Sequence, residues 1–525
     1  MTNTLGIIRA LLIYGLCLPL AVYLGYVLAM PLDRGNLMFL AGAILLPLIP
    51  ALLRWHHVLL VLTWNMSVVL FFLPGSPNLW IVMTLVSLAL TILQHILKRN
   101  VVFAHVPSVN LPLVMLILVV LITAQLTGGI GLKLFGGSAY GGKRYVVILS
   151  AILGYFALTS HRVPADRAAK YVGLYFLGAI TMIVGSLAPW MPVGVWYIYA
   201  LFPVESTAFG SGEFGETTRL GGVTAACLGV VFFILARHGI SGLFSFNDRW
   251  RFLPLQFKGG VSINQPWRLV AFFGVIWVAL MGGYRGTTVT LALTFFFLFW
   301  FEGLFRTRML PALVLCGVLV TAISLPLIDK MPLMVQRSLS LLPIEVDSRI
   351  RSDAESSSEW RVKMWKEVLP TVPQYLLVGK GYSIDARELE AVTSLSEQDS
   401  EAAAAGAALA SDFHNGPLSL IIPLGAFGAL AFLWFIIAAF RVLVNNYRYG
   451  EHRRANTFLL AYFSTKTVLF LFVYGSFQND LALFTGIVGL SAAINGGMRQ
   501  PEKKTSVTKP NPAYLPFRLP KAAKA

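Results

Sequence analysis

The sequence predicts an all-α, polytopic transmembrane helical bundle of about fourteen spans, with one large non-cytoplasmic loop that contains short helices. Three observations predict it. Hydrophobic residues make up 57% of the chain and charged residues 12%, with a mean hydropathy of +0.72, well outside the range of soluble domains. Apolar runs close to the roughly 20 residues needed to cross a bilayer recur from end to end. Basic residues gather in alternate connectors between those runs.

Taken in order, apolar runs bounded by Pro, Gly or charge place spans at 7–29, 37–53, 58–73, 79–97 and 111–126. Further spans follow at 145–158, 171–190, 220–236, 269–281, 287–304, 310–328, 418–440, 458–473 and 481–494. The first run is too long for the apolar region of a secretory signal and is read as a retained anchor. Domain organisation follows: spans one to eleven over 1–328, the large loop at 329–413, the last three spans over 414–497, and a basic, Pro-rich disordered tail at 498–525.

If the spans alternate sides, one set of connectors holds most of the cations, from Arg54, Lys98 and Arg99 through Arg306 and Arg308 to Arg453 and Arg454. The short connectors of the other set hold only Arg34, Lys133, Lys143, Arg144, Arg219 and Arg285. The first set is therefore expected to be cytoplasmic, with both termini inside and membrane lipids as the surrounding partner. The net charge of +17 is spread over these connectors rather than gathered on one face, which argues against nucleic acid. Cys17, Cys227 and Cys316 each lie in an apolar run, so no disulfide framework or cysteine metal site is expected.

Three outward segments are long enough to carry function: a Gly-rich one at 127–144, an aromatic one at 191–219 and the large loop at 329–413. Within the loop, Trp360, Met364, Trp365 and Val368 share one face of a helix expected at 359–369, read as lying in the membrane interface. A second helix is expected at 397–410, where four alanines follow Ser400 and Glu401. No internal repeat is visible, so an inverted-repeat transporter gains no support.

No phosphate-binding Gly-rich loop with Lys, metal-binding His pair or nucleophile elbow is present, and no metal or cofactor is expected. Five side chains can carry chemistry. His414, in Asp412-Phe413-His414-Asn415, is the one histidine of eight on the outward side. Near the membrane surface it could take a proton from a hydroxyl at neutral pH, or serve only as a helix cap. Arg285 sits at the outward mouth of a span, where the orientation rule gives it no purpose; it either faces a cavity or snorkels to lipid phosphates. Arg361 lies one helical turn before Trp365, and its bland alternative is the rim of an amphipathic helix. Arg219, opening another span, is a third outward arginine with a weaker signal. Lys466 falls inside the span at 458–473, where a charge costs at least about 2.5 kcal/mol and needs a partner or water. A guanidinium pair suits pyrophosphate, because the planar fork donates parallel hydrogen bonds and keeps its charge when partly desolvated.

The ordered set Gly283-Tyr284-Arg285-Gly286, Arg361-Val362-Lys363-Met364-Trp365, Pro373, Gly379-Lys380-Gly381, His414-Asn415, Leu418 and Gly425-Ala426-Phe427-Gly428 resembles the O-antigen ligase and O-antigen polymerase family of bacterial envelope enzymes. Tyr284 departs from the pattern, standing where many relatives carry a small polar residue. The resemblance implies a metal-independent glycosyltransferase of the inner membrane, moving a glycan from an undecaprenyl-pyrophosphate donor to an acceptor hydroxyl of a glycan or lipid on the periplasmic face. It implies that Arg285 and Arg361 hold the donor pyrophosphate, to which Arg219, from its outward position and not from the resemblance, is added as a weaker third. His414 would act as, or position, the base. Trp365, Gly379 and Gly381 would shape the loop over the site. The rival classes are a lipid-linked oligosaccharide flippase or exporter, which needs charges inside the bundle where Lys466 alone is clearly central, and a non-catalytic assembly protein.

Overall fold

The computed structural model describes residues 34–98, 106–128, 141–209, 219–245, 267–342, 344–384 and 411–501, with isolated positions elsewhere. The expected span at 7–29, the helix at 397–410, most of the Gly-rich segment and most of the basic tail lie outside the described residues. Apart from one two-residue antiparallel pairing, Trp250–Arg251 with Ser262–Ile263, and a bridge between Val69 and Asn78, the regular structure among the described residues is helical.

In chain order the long elements are α1 (Arg34–Thr63), α2 (Leu79–Lys98), α3 (Pro107–Leu126), α4 (Gly142–Thr159), α5 (Ala165–Ser186) and α6 (Gly221–Phe244). They continue with α7 (Trp267–Leu280), α8 (Arg285–Phe301), α9 (Met309–Ser324), the short α10 (Leu333–Leu339) and α11 (Ser348–Val368). The last three are α12 (Gly416–Tyr449), α13 (Arg453–Val473) and α14 (Phe477–Asn495). Eight of these are long and apolar enough to cross a bilayer, and four shorter apolar helices accompany them, as in a multi-pass membrane protein.

One expectation is corrected. The expected span at 37–53 and the start of that at 58–73 are a single helix, α1, which runs unbroken through Arg54, Trp55, His56 and His57 and ends at Thr63, while 64–73 is turn and irregular backbone. The charge there does not end the helix, because His56 bonds Ser87 of α2 (2.9 Å) and His57 bonds the Leu158 carbonyl of α4 (2.8 Å). Satisfied in this way, the imidazoles stay buried among helices. The merger removes one crossing from the expected alternation and sets Arg34 at the same end of the bundle as Lys98.

Helix pairing inside lipid has no hydrophobic driving force and depends on close packing and internal hydrogen bonds. The contacts of α14 with α4 and α12 fit that requirement. Gly486 and Gly489 of α14 lie against Trp64, Tyr175 and Leu158, and Phe432, Phe470, Phe477 and Phe484 interlock, the Phe432–Phe470 pair tilted and the others edge to face, with ring centroids 5.3–5.8 Å apart. At one end, Asn456 and Asn495 exchange reciprocal amide bonds (3.1 and 2.8 Å) while Asn446 reaches Ser491 (3.1 Å), tying α12, α13 and α14 together.

The expected outward segments meet at the other end. Ser383 donates to the Thr127 carbonyl (2.8 Å), the Tyr382 amide to the Tyr145 hydroxyl (2.9 Å), and Thr123 to the Val378 carbonyl (3.1 Å). Helix α12 is broken at Pro423 and Gly425, the latter at φ +66°, which frees backbone groups inside the bundle. The turn at 376–381 satisfies them. Lys380 and Gly381 amides donate to the Ile422 and Pro423 carbonyls (2.7 and 2.9 Å), and Ala426 donates to the Leu376 carbonyl (2.6 Å). Gly381 sits at φ +74°, and a Cβ there would fall on the Thr127 hydroxyl. Gly381→Ala is therefore expected to destabilise the fold by about 1–3 kcal/mol, read as a lowered melting temperature of the detergent-solubilised protein. A melting temperature equal to that of the parent would show that the turn does not hold α12.

Candidate functional site

The site begins with a carboxylate that the sequence did not single out. Glu205 accepts from the amides of Gly221 and Gly222 (2.6 and 3.1 Å), from Ser186 (2.5 Å) and Thr207 (3.1 Å), and from the Tyr284 hydroxyl (3.0 Å). Burial alone would raise its carboxyl, but the bonds from Ser186, Gly222, Gly221 and Tyr284 hold it below the ordinary range. It therefore acts as an anionic clasp between the start of α6 and the residue that precedes Arg285. This accounts for the large phenol at position 284.

Arg285 is the first residue of α8, and around it three more guanidiniums gather. Arg337 of α10 donates to the Gly283 carbonyl (2.5 Å) and, through Nε, to Asp353 Oδ2 (2.6 Å). Arg219 donates to the other oxygen of the same carboxylate (2.9 Å). Helix α10 is held in place by Ser338, which donates to Leu280, and by Thr288, which donates to Ser338 (both 2.6 Å). Arg361 of α11 completes the group. Arg285 lies within electrostatic range of Arg337, Arg361, Asp353 and Arg219. Burial pushes the Arg361 guanidinium below its ordinary value, with Arg219 adding to the shift and Tyr474 opposing it. Arg337 is lowered first by burial and then by Arg219, against the pull of Asp353.

The decisive feature is how the anions are shared. Asp353 is taken by Arg219 and Arg337, whereas neither Arg285 nor Arg361 has an ion pair or hydrogen-bonded side chain among the described residues; Arg361 Nε is buried with no partner. A cavity of about 600 Å³ opens beside Arg285, walled by residues such as Ser340, Val346, Arg351, Glu355 and Ser358.

Helix α11 is longer than expected, and the face expected to meet the membrane interface is covered by the protein itself. Its apolar face, Met364 and Val368 flanked by Trp360 and Trp365, packs on Phe413, Leu418 and Ile422, because these supply enough apolar surface to cover it. Trp365 Nε1 donates to the Phe413 carbonyl (2.8 Å), so this tryptophan fixes the residue before His414. His414 itself stands at φ +46°, and Ser411 at φ +53°, a conformation that costs a non-glycine residue about 1–3 kcal/mol. The helix cap is the neighbour: the Asn415 side chain accepts from Leu418 N (3.1 Å). The imidazole packs edge-on against Trp360 with centroids 5.6 Å apart, and its Nδ1 is 3.8 Å from Asp412 Oδ1. Burial lowers its pKa from the ordinary 6.5, Asp412 raises it in opposition, and Arg361 lowers it further. Arg361 thus lies within electrostatic range of both Arg285 and His414.

Behind this surface lies the partner of Lys466. Its ammonium is 5.7 Å from the Tyr462 ring and within range of Tyr474 and Asp480, and Asp480 in turn senses Asp412. A π-helical turn, Leu469–Val473, separates Lys466 from Tyr474, whose hydroxyl is 3.2 Å from Thr290 of α8. Of the residues singled out from sequence, Arg219, Arg285, Arg361 and His414 come together at one end of the bundle, and Lys466 lies beneath them. Glu205, Arg337, Asp353 and Asp412 were missed; only Asp412, two positions before His414, carried a signal.

Asp353→Asn strips both partly buried arginines of their counter-ion while sparing shape. It is expected to cost about 3 kcal/mol or more, seen as a lowered melting temperature that Arg337→Met in the same chain partly restores. An unchanged melting temperature for the single variant would show that the pair holds nothing together.

Residues 270–433 match the sequence model of the O-antigen ligase family. No curated protein matches the chain. The match opens in α7 and closes in α12, spanning Arg285, Arg337, Asp353, Arg361 and His414. Over residues 270–433 the chain is similar to the O-antigen ligase family, and this match supports the family resemblance read from its motifs.

Proposed function

We propose that this protein transfers or polymerises a glycan from an undecaprenyl-pyrophosphate donor onto an acceptor hydroxyl, at the periplasmic face of the inner membrane. The observation that carries the reading is the pair of guanidiniums, Arg285 and Arg361, left without counter-ions next to two that have one. A partly buried charge without an anion is costly, and a pyrophosphate supplies what is missing. Supporting it, the match to the O-antigen ligase family covers both residues and His414.

In this reading the acceptor oxygen attacks the anomeric carbon, the bond from that carbon to the pyrophosphate oxygen breaks, and the electron pair leaves on the lipid pyrophosphate. Arg285 and Arg361, carried on helices α8 and α11 that stand in place before the reaction, take up the growing negative charge. The hydroxyl proton passes to His414. Its Nδ1 faces Asp412, leaving Nε2 as the acceptor, and burial together with Arg361 keeps the ring neutral near pH 7. Arg219, held by Asp353, sets the local field rather than gripping the donor. No step calls for a metal.

The test is transfer by the purified protein from a polyprenyl-pyrophosphate glycan to candidate acceptors, with a chelator and without nucleotide. Arg285→Ala, Arg361→Ala and His414→Ala should each lower turnover about 100-fold or more with expression and topology unchanged. His414→Asn, which tolerates positive φ but takes no proton, should be as inactive as the alanine variant while melting like the parent. Full turnover in any of these would remove that residue from the mechanism. Accumulation of donor in the inner leaflet of a deletion strain would instead point to a flippase.

The pH profile gives a second check. A general base works when neutral, so the rate should hold as pH falls through 6.5 and drop only below the depressed pKa of His414. Asp412→Asn removes the one raising influence and should move that acidic limb to still lower pH. A limb that stays in place, or moves up, would show that Asp412 does not act through the imidazole.

A further inference from the structure

A second cavity, of about 300 Å³, lies far from the arginine cluster, between α5, α6 and α13, lined by Val172, Phe233, Arg237, His452, Arg453 and Arg454 among others. Helix α6 starts at Gly221 beside Glu205 and reaches Arg237 about 24 Å further along its axis. Helix α13 likewise runs from Arg453 at this cavity to Lys466 beneath the site. The two sites occupy opposite ends of the same helices.

The chemistry of the lining is one-sided. Three guanidiniums and an imidazole face a wall of Val172, Gly173, Phe233 and Ala236, and no carboxylate is among the lining residues. Two carboxylates on neighbouring segments are engaged elsewhere: Glu302 accepts from the amides of Ile240 and Ser241 (2.8 and 3.0 Å), and Glu451 pairs with Arg499 (2.9 Å). Arg237 is half-buried between helices and has no ion pair among the described residues. A cation so placed calls for an anion from outside the chain. The apolar wall between spanning helices selects what kind of anion.

We propose that this cavity binds an anionic phospholipid, its phosphodiester held by Arg237 and Arg453 with Arg454 at the rim, and its acyl chains lying along Val172 and Phe233. Basic pockets between spanning helices bind acidic lipid headgroups in this way. The site is independent of the glycan-transfer reading and shares no residue with it.

The experiment measures the melting temperature of the full chain in a neutral detergent, titrated with phosphatidylglycerol, phosphatidylcholine or inorganic phosphate. Phosphatidylglycerol should raise it saturably, and the other two should not. Arg237→Gln combined with Arg453→Gln should weaken the apparent affinity for phosphatidylglycerol about tenfold or more, while Arg306→Gln with Arg308→Gln, at another connector, leaves it intact. An unaltered response in the first double variant, or an equal response to phosphate or phosphatidylcholine, overturns the proposal. Should that variant fail to fold, a photoreactive phosphatidylglycerol on the parent protein decides: adducts on Val172 or Phe233 support the site, and adducts confined elsewhere overturn it.

Discussion

One carboxylate, Asp353, organises the end of the bundle where the candidate site lies. It is claimed by Arg219 from the start of α6 and by Arg337 from α10, and Arg337 also reaches the backbone before α8. Three separate stretches of chain are thereby locked around a single partly buried charge. The same sharing leaves Arg285 and Arg361 without an anion. Four guanidiniums around one carboxylate repel one another, and burial adds to that cost; both are tolerated because short charge-assisted bonds and the packing of α10 hold the frame. In the proposed function an added polyanion completes this frame.

The imidazole side of the site rests on a different device. Helix α12 is interrupted at Pro423 and Gly425, and the turn at 376–381 fills the gap with three backbone hydrogen bonds. A broken helix inside a bundle is tolerated only where other groups satisfy the freed backbone. Here the partner is the loop that covers the site, so the membrane-embedded helix and the loop cannot be arranged independently. Trp365 adds a second tie, from α11 to the Phe413 carbonyl, and the chain from Ser411 to His414 is held with two residues at positive φ. Strain of this kind persists where surroundings over-determine it, and it presents the imidazole toward Arg361 while Asn415 does the capping.

Beneath the surface, Lys466, Tyr474 and Asp480 couple the two sides. Tyr474 touches α8 through Thr290 and lies in the field of Arg361, and Asp480 lies in the field of Asp412. The π-helical turn before Tyr474 turns this tyrosine toward α8, an irregularity of a type common at functional sites. Lys466 is therefore a buried charge with named neighbours rather than an isolated cation in lipid.

Hydrophobicity and charge periodicity determined, from sequence alone, that the chain is a helical membrane bundle, because spans must be long, apolar and internally bonded whatever their neighbours do. Short motifs likewise marked Arg285, Arg361 and His414, since guanidinium and imidazole announce their chemistry by type. The single helix α1 was not legible, because what carries it through His56 and His57 is a pair of hydrogen bonds to helices distant in sequence. Nor could sequence show that α11 packs on Phe413 and Leu418 rather than on lipid, as an amphipathic face looks the same for either partner. Glu205, Arg337 and Asp353 carry no local signature at all. Which arginines are neutralised, and which are left without an anion among the described residues, is a matter of charge sharing across space, and only the tertiary structure decides it.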